Sequence, residues 1–268
     1  MQVTVSVTTY NHEEFIAQAV NSILMQRVDF PYEIIIGDDC STDGTSSIVD
    51  DMQSAHPELI RVIRPAQNLG DNGRPMFVET LKAARGKYIA MLDGDDYWIG
   101  ENKLATQFAL MEADSACMMI YHNVVRVFDD GSEPAPYNDL HHPAILTTEK
   151  LLEQNWVPGC SPMIRAELVS DLPPWFYAAP WADWPLFLLA TEAGTVRYIN
   201  EVFGAYRMHR RGAWSSLTKE TQVAQLLLFF EILYPYFAER YASKLNESLS
   251  VYREKLIALR LRRLAPRQ

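Results

Sequence analysis

The densest chemistry in the chain is Asp93-Gly94-Asp95-Asp96, which closes the apolar run Tyr88-Ile89-Ala90-Met91-Leu92. Carboxylates this close repel one another. All of them are expected to be ionised near neutrality, because an ordinary aspartate has a pKa of about 3.9. A divalent cation relieves that repulsion. All-oxygen ligands suit Mg2+ or Mn2+, which fill their remaining positions with water and phosphate oxygens. An acidic turn with Gly94 at positive φ is the other reading, and the motif alone does not separate the two. Two more polar groups follow apolar runs in the same way: Thr8-Thr9-Tyr10-Asn11 after Val3–Val7, and Asp38-Asp39 after Tyr32–Gly37.

The elements that must position these groups are strands. Val3 to Thr8, Tyr32 to Gly37, Leu59 to Arg64 and Tyr88 to Asp93 have the composition of buried strands. Asn11 is expected to cap the first intervening helix, with Glu13 and Glu14 in its first turn and Ile16, Ala19, Val20, Ile23 and Leu24 on its apolar face. A second helix is expected over Thr45 to Ala55, and a third from Pro75 to an end at Gly86. Alternating strands and helices predict an α/β fold with a mostly parallel sheet and right-handed crossovers. Such a sheet gathers its polar strand ends along one edge, where open α/β sheets bind ligands.

The second half is patterned differently. Helices are expected over Lys103 to Ala113, Thr148 to Gln154 and Asp183 to Ala193. Strands are expected over Met118 to Phe128, Val196 to Ile199 and Val202 to Tyr206. From about Thr218 the chain turns helical, with a break near Ala242 to Asn246. Every tryptophan lies beyond the acidic cluster, and Trp175, Trp181 and Trp184 fall among prolines. Core packing accounts for one or two of them; an aromatic surface for a sugar's C–H face or for a protein partner accounts for the rest.

Composition removes several classes. With 268 residues, 48% hydrophobic and 22% charged, the chain is an ordinary globular protein. A net charge of −10 argues against non-specific nucleic-acid binding. Cys40, Cys117 and Cys160 have neither disulfide-framework nor zinc spacing, so a reducing, cytoplasmic setting is expected. Met1 leads straight into a strand-like run, so no secretory leader is expected. No apolar run reaches the ~18 residues that span a bilayer. The Gly-x-x-x-x-Gly-Lys-Ser/Thr loop of P-loop NTPases and the Gly-x-Gly-x-x-Gly of dinucleotide enzymes are both missing. The tail from Tyr252 interleaves Arg253, Lys255, Arg260, Arg262, Arg263 and Arg267 with Leu256, Ile257, Leu261 and Leu264. It suits either an anionic membrane surface or packing on the body or on a second copy in a homodimer.

Taken together, Val7-Thr8-Thr9-Tyr10-Asn11, Ile36-Gly37-Asp38-Asp39-Cys40-Ser41-Thr42-Asp43-Gly44-Thr45, Asn68-Leu69-Gly70 with Arg74, and Asp93-Gly94-Asp95-Asp96 resemble family 2 glycosyltransferases of the GT-A fold. The match is close over the first 105 or so residues and looser beyond, at the Asp183 helix and Tyr206-Arg207-Met208-His209. The resemblance implies a Rossmann-like mixed sheet flanked by helices: residues 1–105 bind the nucleotide sugar, 106–217 bind the acceptor, and 218–268 form a helical extension. It implies inverting transfer from a nucleoside-diphosphate sugar, UDP-linked before others, to a glycan or lipid-linked acceptor in cell-envelope polysaccharide synthesis. Thr8, Tyr10 and Asp39 then hold base and ribose, with Thr9, Asn11, Asn68 and Asp93 beside them. Arg74 lies near the base or diphosphate, and Arg207 and His209 close over the diphosphate. Asp95 contacts ribose or metal, and Asp96 holds the Mn2+ or Mg2+. Asp183 is the base, although the family's usual Glu-Asp pair is here Ala182-Asp183. The processive Gln-x-x-Arg-Trp motif is lacking, so the implied enzyme is non-processive. A relative that binds a nucleotide sugar or glycan without activity, or a nucleotidyltransferase, are the alternatives.

Overall fold

Apolar side chains occupy both faces of β1 (Val3–Thr9), β2 (Tyr32–Asp38), β3 (Ile60–Ile63) and β4 (Tyr88–Asp93), the pattern of strands covered from two sides. In the computed structural model, which describes residues 1–264, these strands pair in parallel in the order β3-β2-β1-β4. Helices α1 (Ile16–Leu24), α2 (Thr45–Ala55) and α3 (Arg74–Ala83) make the crossovers. The register sets Thr8 opposite both Gly37 and Asp93. The three polar strand ends therefore finish level with one another.

The same sheet continues through the second half. Its elements are β5 (Tyr97–Trp98), α4 (Lys103–Ala113), β6 (Cys117–Phe128), β7 (Ala135–Pro136), β8 (Ile145–Leu146), α5 (Thr148–Leu151), β9 (Met163–Arg165), α6 (Pro174–Ala178), α7 (Asp183–Ala193), β10 (Thr195–Met208) and α8 (Lys219–Leu264). The full order is β3-β2-β1-β4-β9-β6-β10-β5, with β7 on β6 and β8 on β10. β9 runs antiparallel to both β4 and β6 and joins the halves into one sheet. One face packs on α1, α2 and α4 through Ile16, Val20, Val49, Leu104 and Met111. The other packs on α3, α7 and α8 through Leu81, Leu186, Phe187, Phe229 and Phe230.

Several local expectations change. Asn11 does not cap α1, which begins only at Ile16 and has no side-chain cap. Asn11 instead adopts φ 56° and accepts the Thr42 N–H at 2.7 Å, tying the first loop to the second. Glu13 acts in parallel, accepting the Gly44 N–H at 2.7 Å. Gly86 is not the end of α3, which stops at Ala83. Its role is close approach, since a Cβ there would lie 2.4 Å from the Thr4 backbone nitrogen. The two short strands expected after Gly194 are one strand, β10, with register shifts near Ile199 and Val202.

Helix α8 is a hairpin in disguise. Its backbone breaks at Tyr241 (φ −127°, ψ 26°), and the second limb returns along the first. Phe230 stacks on Tyr252 with centroids 5.5 Å apart, Arg253 pairs with Glu231, and Arg260 reaches Glu220. The basic tail thus packs on the body, while Ile257 and Leu261 remain exposed; Arg267 lies outside the described residues. No helix among the described residues is long and apolar enough to cross a membrane.

Behind the acidic cluster the core holds two buried basic groups. Lys103 lies fully buried, its ammonium 3.7 Å from the centroid of the Trp98 ring. His122 is equally buried, and its Nε2 has no partner. Burial, reinforced by Lys103, pushes the His122 imidazole down to about 3. His122 is therefore neutral in the fold but takes a proton in the unfolded chain below its ordinary pKa of about 6.5. Stability from this group is complete above that value and is lost as pH falls toward the folded pKa, by about 2 kcal/mol at about pH 5. His122→Leu should accordingly lose less melting temperature than the parent between about pH 7 and pH 5. Equal losses by scanning calorimetry would refute this account.

Candidate active site

At the level ends of β1, β2 and β4 the sheet opens into a cavity of about 700 Å³, within the range of small-molecule sites. β1 contributes Thr8, and the loop beyond it Tyr10 and His12. Thr8 Oγ1 donates to Asp93 Oδ1 at 3.2 Å, and Thr9 Oγ1 meets His12 Nδ1 at 3.2 Å. Gly94 has no positive φ; it is glycine because a Cβ there would lie 2.6 Å from Thr9 Oγ1.

The Asp38-Asp39 pair divides its labour. Asp38 is sealed, accepts the Ser41 N–H at 3.0 Å and pairs with Arg64 at 2.9 Å. Asp39 lines the cavity and is held by the Leu69 N–H at 2.8 Å. Asn68 steadies the same loop by donating to the Asp39 carbonyl at 2.9 Å. Arg74 also lines the cavity, but its guanidinium is engaged: it donates to the carbonyl of Ala179 at 2.8 Å, to that of Tyr177, and to Asp71 at 2.6 Å. It thereby bridges the first half to the segment before α7.

Four acids converge on this edge, each in a different setting. Burial, then the charges of Asp95 and Asp183, push Asp93 up to about 7. Burial also opposes charge on Asp95, but the His209 hydrogen bond and the neighbouring His12 outweigh it and hold Asp95 below the usual carboxylate range. Asp95 Oδ2 lies 2.9 Å from His209 Nε2 and 3.7 Å from His12 Nε2. Arg207 braces the turn by donating to the Asp95 carbonyl and to Gln18, its guanidinium over the rings of Phe15 and Tyr97. Asp96, expected to hold the metal, does not line the cavity: it is buried and accepts the Arg207 backbone N–H through Oδ1 at 2.7 Å. Burial, with Asp95 and Asp93 nearby, raises its pKa well above the carboxylate range. Asn11 also lies off the cavity, in the loop contacts described above.

Asp183 stands opposite. It is the first residue of α7 and faces the cavity. Asn155 donates to its Oδ2 at 3.3 Å, and the Asn155 amide is oriented by the Val157 N–H on its Oδ1. Burial raises the pKa of Asp183, which strengthens it as a base once ionised. Around it stand Trp181, Trp184 and Trp214. Trp181 stacks on Trp184 at 6.1 Å and meets Trp214 edge-on at 5.4 Å. Trp98 and Trp175 are core instead.

Residues 4–170 match the family described as glycosyl transferase family 2. The chain belongs to that family. It is 32% identical over 209 residues to an uncharacterized protein of Mycobacterium tuberculosis, a match covering 78% of this chain and 59% of that protein. It therefore spans about three fifths of that relative's length. It is also 32% identical over 158 residues to the putatively named teichuronic acid biosynthesis glycosyltransferase TuaG of Bacillus subtilis, covering 59% of each. Among solved structures, Staphylococcus aureus TarS 1-349 in complex with UDP-GlcNAc superposes with a TM-score of 0.68 at 20% identity, covering 94% of this chain and 71% of that one. The mannosyltransferase PcManGT of Pyrobaculum calidifontis, in complex with GDP-Man and Mn2+, gives 0.66 at 19% identity, covering 96% and 74%. The fold is that of the GT-A glycosyltransferases.

Sequence reasoning missed His12, Asn155, Trp214 and Gln225 in the cavity wall. His12 had a local signal, three residues after Thr9. The others arrive from loops and a helix face that no motif marks. The strain among the acids is itself measurable. Asp93 is ionised in the unfolded chain above about 3.8 yet keeps its proton in the fold until about 7. This group therefore costs stability increasingly between those values and constantly above them. Asp93→Asn should raise the melting temperature in EDTA at about pH 8 and change it little at about pH 4. A gain of the same size at both would contradict the assignment.

Proposed function

We propose that this protein is an inverting, non-processive glycosyltransferase that moves a sugar from a nucleoside-diphosphate donor, UDP-linked before others, to a hydroxyl of a glycan or lipid-linked acceptor. The observation that carries the reading is one cavity lined by Asp183 together with Asp93 and Asp95, the last held by the buried His209 behind it. Asp39, Asn68, Thr8, Thr9 and Tyr10 form the nucleoside end, and Arg74 and Arg207 border the diphosphate. Asp183 takes the proton of the acceptor hydroxyl as that oxygen attacks the anomeric carbon from the face opposite the diphosphate, so configuration inverts. Asn155 keeps the carboxylate aimed during that transfer.

The residues present fit a divalent cation. One carboxylate oxygen and two imidazole nitrogens, from Asp95, His209 and His12, meet within 3.7 Å. Among the described residues no group of three His, Cys, Asp or Glu side chains is arranged to hold an ion by itself, so the donor's phosphates would have to supply the remaining ligands. We assign Asp95 and His12, both of which line the cavity, as its protein ligands, with His209 behind Asp95 and Mn2+ preferred to Mg2+ because imidazole joins the donor set. Bound there, the ion would stabilise charge on the departing diphosphate as a Lewis acid. The cognate complexes of the two solved neighbours hold UDP-GlcNAc, or GDP-Man and Mn2+. We place the reaction in cell-envelope polysaccharide synthesis, in the cytoplasm and peripheral to its membrane. Ile257 and Leu261 are exposed beside Arg260 and would meet an anionic surface.

Asp183→Asn should leave UDP affinity within about twofold while cutting transfer by about 10²- to 10⁴-fold. Calorimetry with turnover checks it, and transfer at the parental rate would reject Asp183 as base. Asp95→Ala should abolish the difference in UDP affinity between Mn2+ and EDTA. A persisting difference would move the ion elsewhere. Tight UDP-sugar binding with neither transfer nor donor hydrolysis would favour a binding protein without activity.

A further inference from the structure

The wall beside Asp183 contains two polar atoms with nothing to bond. Trp181 Nε1 and Gln225 Oε1 are both buried, both without a partner, and both residues line the cavity. Their neighbours show how unusual this is. Trp184, stacked on Trp181, gives its indole N–H to the Leu151 carbonyl at 3.0 Å. Gln222, one turn before Gln225 on α8, donates to the Trp214 carbonyl at 2.8 Å. The two free atoms share one wall, because Phe229, one turn after Gln225, packs 5.3 Å from the Trp181 ring. A buried donor and acceptor left unsatisfied cost about 1–3 kcal/mol each, which a bound hydroxylated ligand would recover.

We propose that Trp181 and Gln225 determine acceptor specificity, and that the acceptor is an uncharged pyranoside. This rests on the transfer reading above. The indole N–H of Trp181 donates to one sugar hydroxyl, Gln225 Oε1 accepts from another, and the Trp214 ring offers a face for the sugar's C–H groups. The charge pattern selects an uncharged ring over a phosphate-bearing polyol. Each arginine that lines the cavity already has an acceptor: Arg74 on Asp71, Arg207 on Gln18, and Arg211 on Glu14. The lining includes Pro180, Leu217 and Leu226, and the arginine beside this segment, Arg74, is spent on Asp71 and on the carbonyl of Ala179. The specificity determinants thus come partly from α8, outside the residues that match the family.

The test uses the full chain loaded with Mn2+ and with UDP or GDP, whichever binds. Methyl gluco-, galacto- and mannopyranosides are titrated by tryptophan fluorescence and saturation-transfer NMR, with ribitol 5-phosphate as the anionic arm. At least one glycoside should bind, and ribitol 5-phosphate should not compete. Trp181→Phe, which keeps a ring but removes the N–H, and Gln225→Met, which keeps length but removes the carbonyl, should each weaken that glycoside about 10-fold while nucleotide affinity holds. Removing the matching hydroxyl from the sugar should weaken binding to the parent and add nothing in the variant. Glycoside binding that is absent, or unmoved in both variants, with nucleotide binding intact, would overturn this assignment alone. Tighter binding of ribitol 5-phosphate would do the same. Failure of both nucleotides to bind would instead overturn the transfer reading and this proposal with it.

Discussion

Repulsion between carboxylates at one sheet edge is the constraint to which the rest of the structure responds. Asp93, Asp95, Asp96 and Asp183 would not share this volume without compensation, and each has its own. Asp93 takes a hydroxyl from Thr8 and is driven toward its protonated form. Asp95 keeps its charge because His209 and His12 face it. Asp96 is withdrawn beneath the surface onto a backbone N–H. Asp183 sits across the cavity at a helix start, where backbone N–H groups favour an anion. Three of these four acids are thereby pushed up and one, Asp95, is held down, the kind of divergence that lets neighbouring carboxyls take different roles.

The two halves of the chain serve this arrangement unequally. Parallel pairing with level strand ends delivers the wall that carries Thr8, Asp39 and Asp93. The opposite wall is assembled from the loop before α7, the segment around Trp214 and a face of α8. The hairpin of α8 is therefore part of the cavity as well as of the core, its Phe229 and Phe230 buried beneath the residues that line it.

Much of this was legible in the residues themselves. Helices α2, α4 and α7 and strand β4 begin and end where composition places them, with Gly44 before α2 and Gly194 after α7 marking boundaries and an unbroken apolar run making β4. The gathering of polar strand ends follows from topology and needed no side-chain detail. Orientation was not legible. Nothing in Asp-Gly-Asp-Asp says that the third aspartate turns inward, since that depends on Arg207 arriving from β10 far along the chain. Asn11 looked like a cap because capping is what asparagine does before a helix, but a neighbouring loop claims its carbonyl. Gly94 and Gly86 are glycines for want of room, and room is set by tertiary neighbours.

Strand β9 has a consequence for biosynthesis. It is a three-residue strand, yet it alone covers the free side of β4 and joins it to β6. A nascent chain released only as far as α4 would carry four aligned strands with a raw outer border, a template for capturing other polypeptides. That border stays open until Arg165 pairs with Tyr88, a contact distant enough in sequence to be slow. The late covering of β4 is thus imposed by strand order, whatever the side chains.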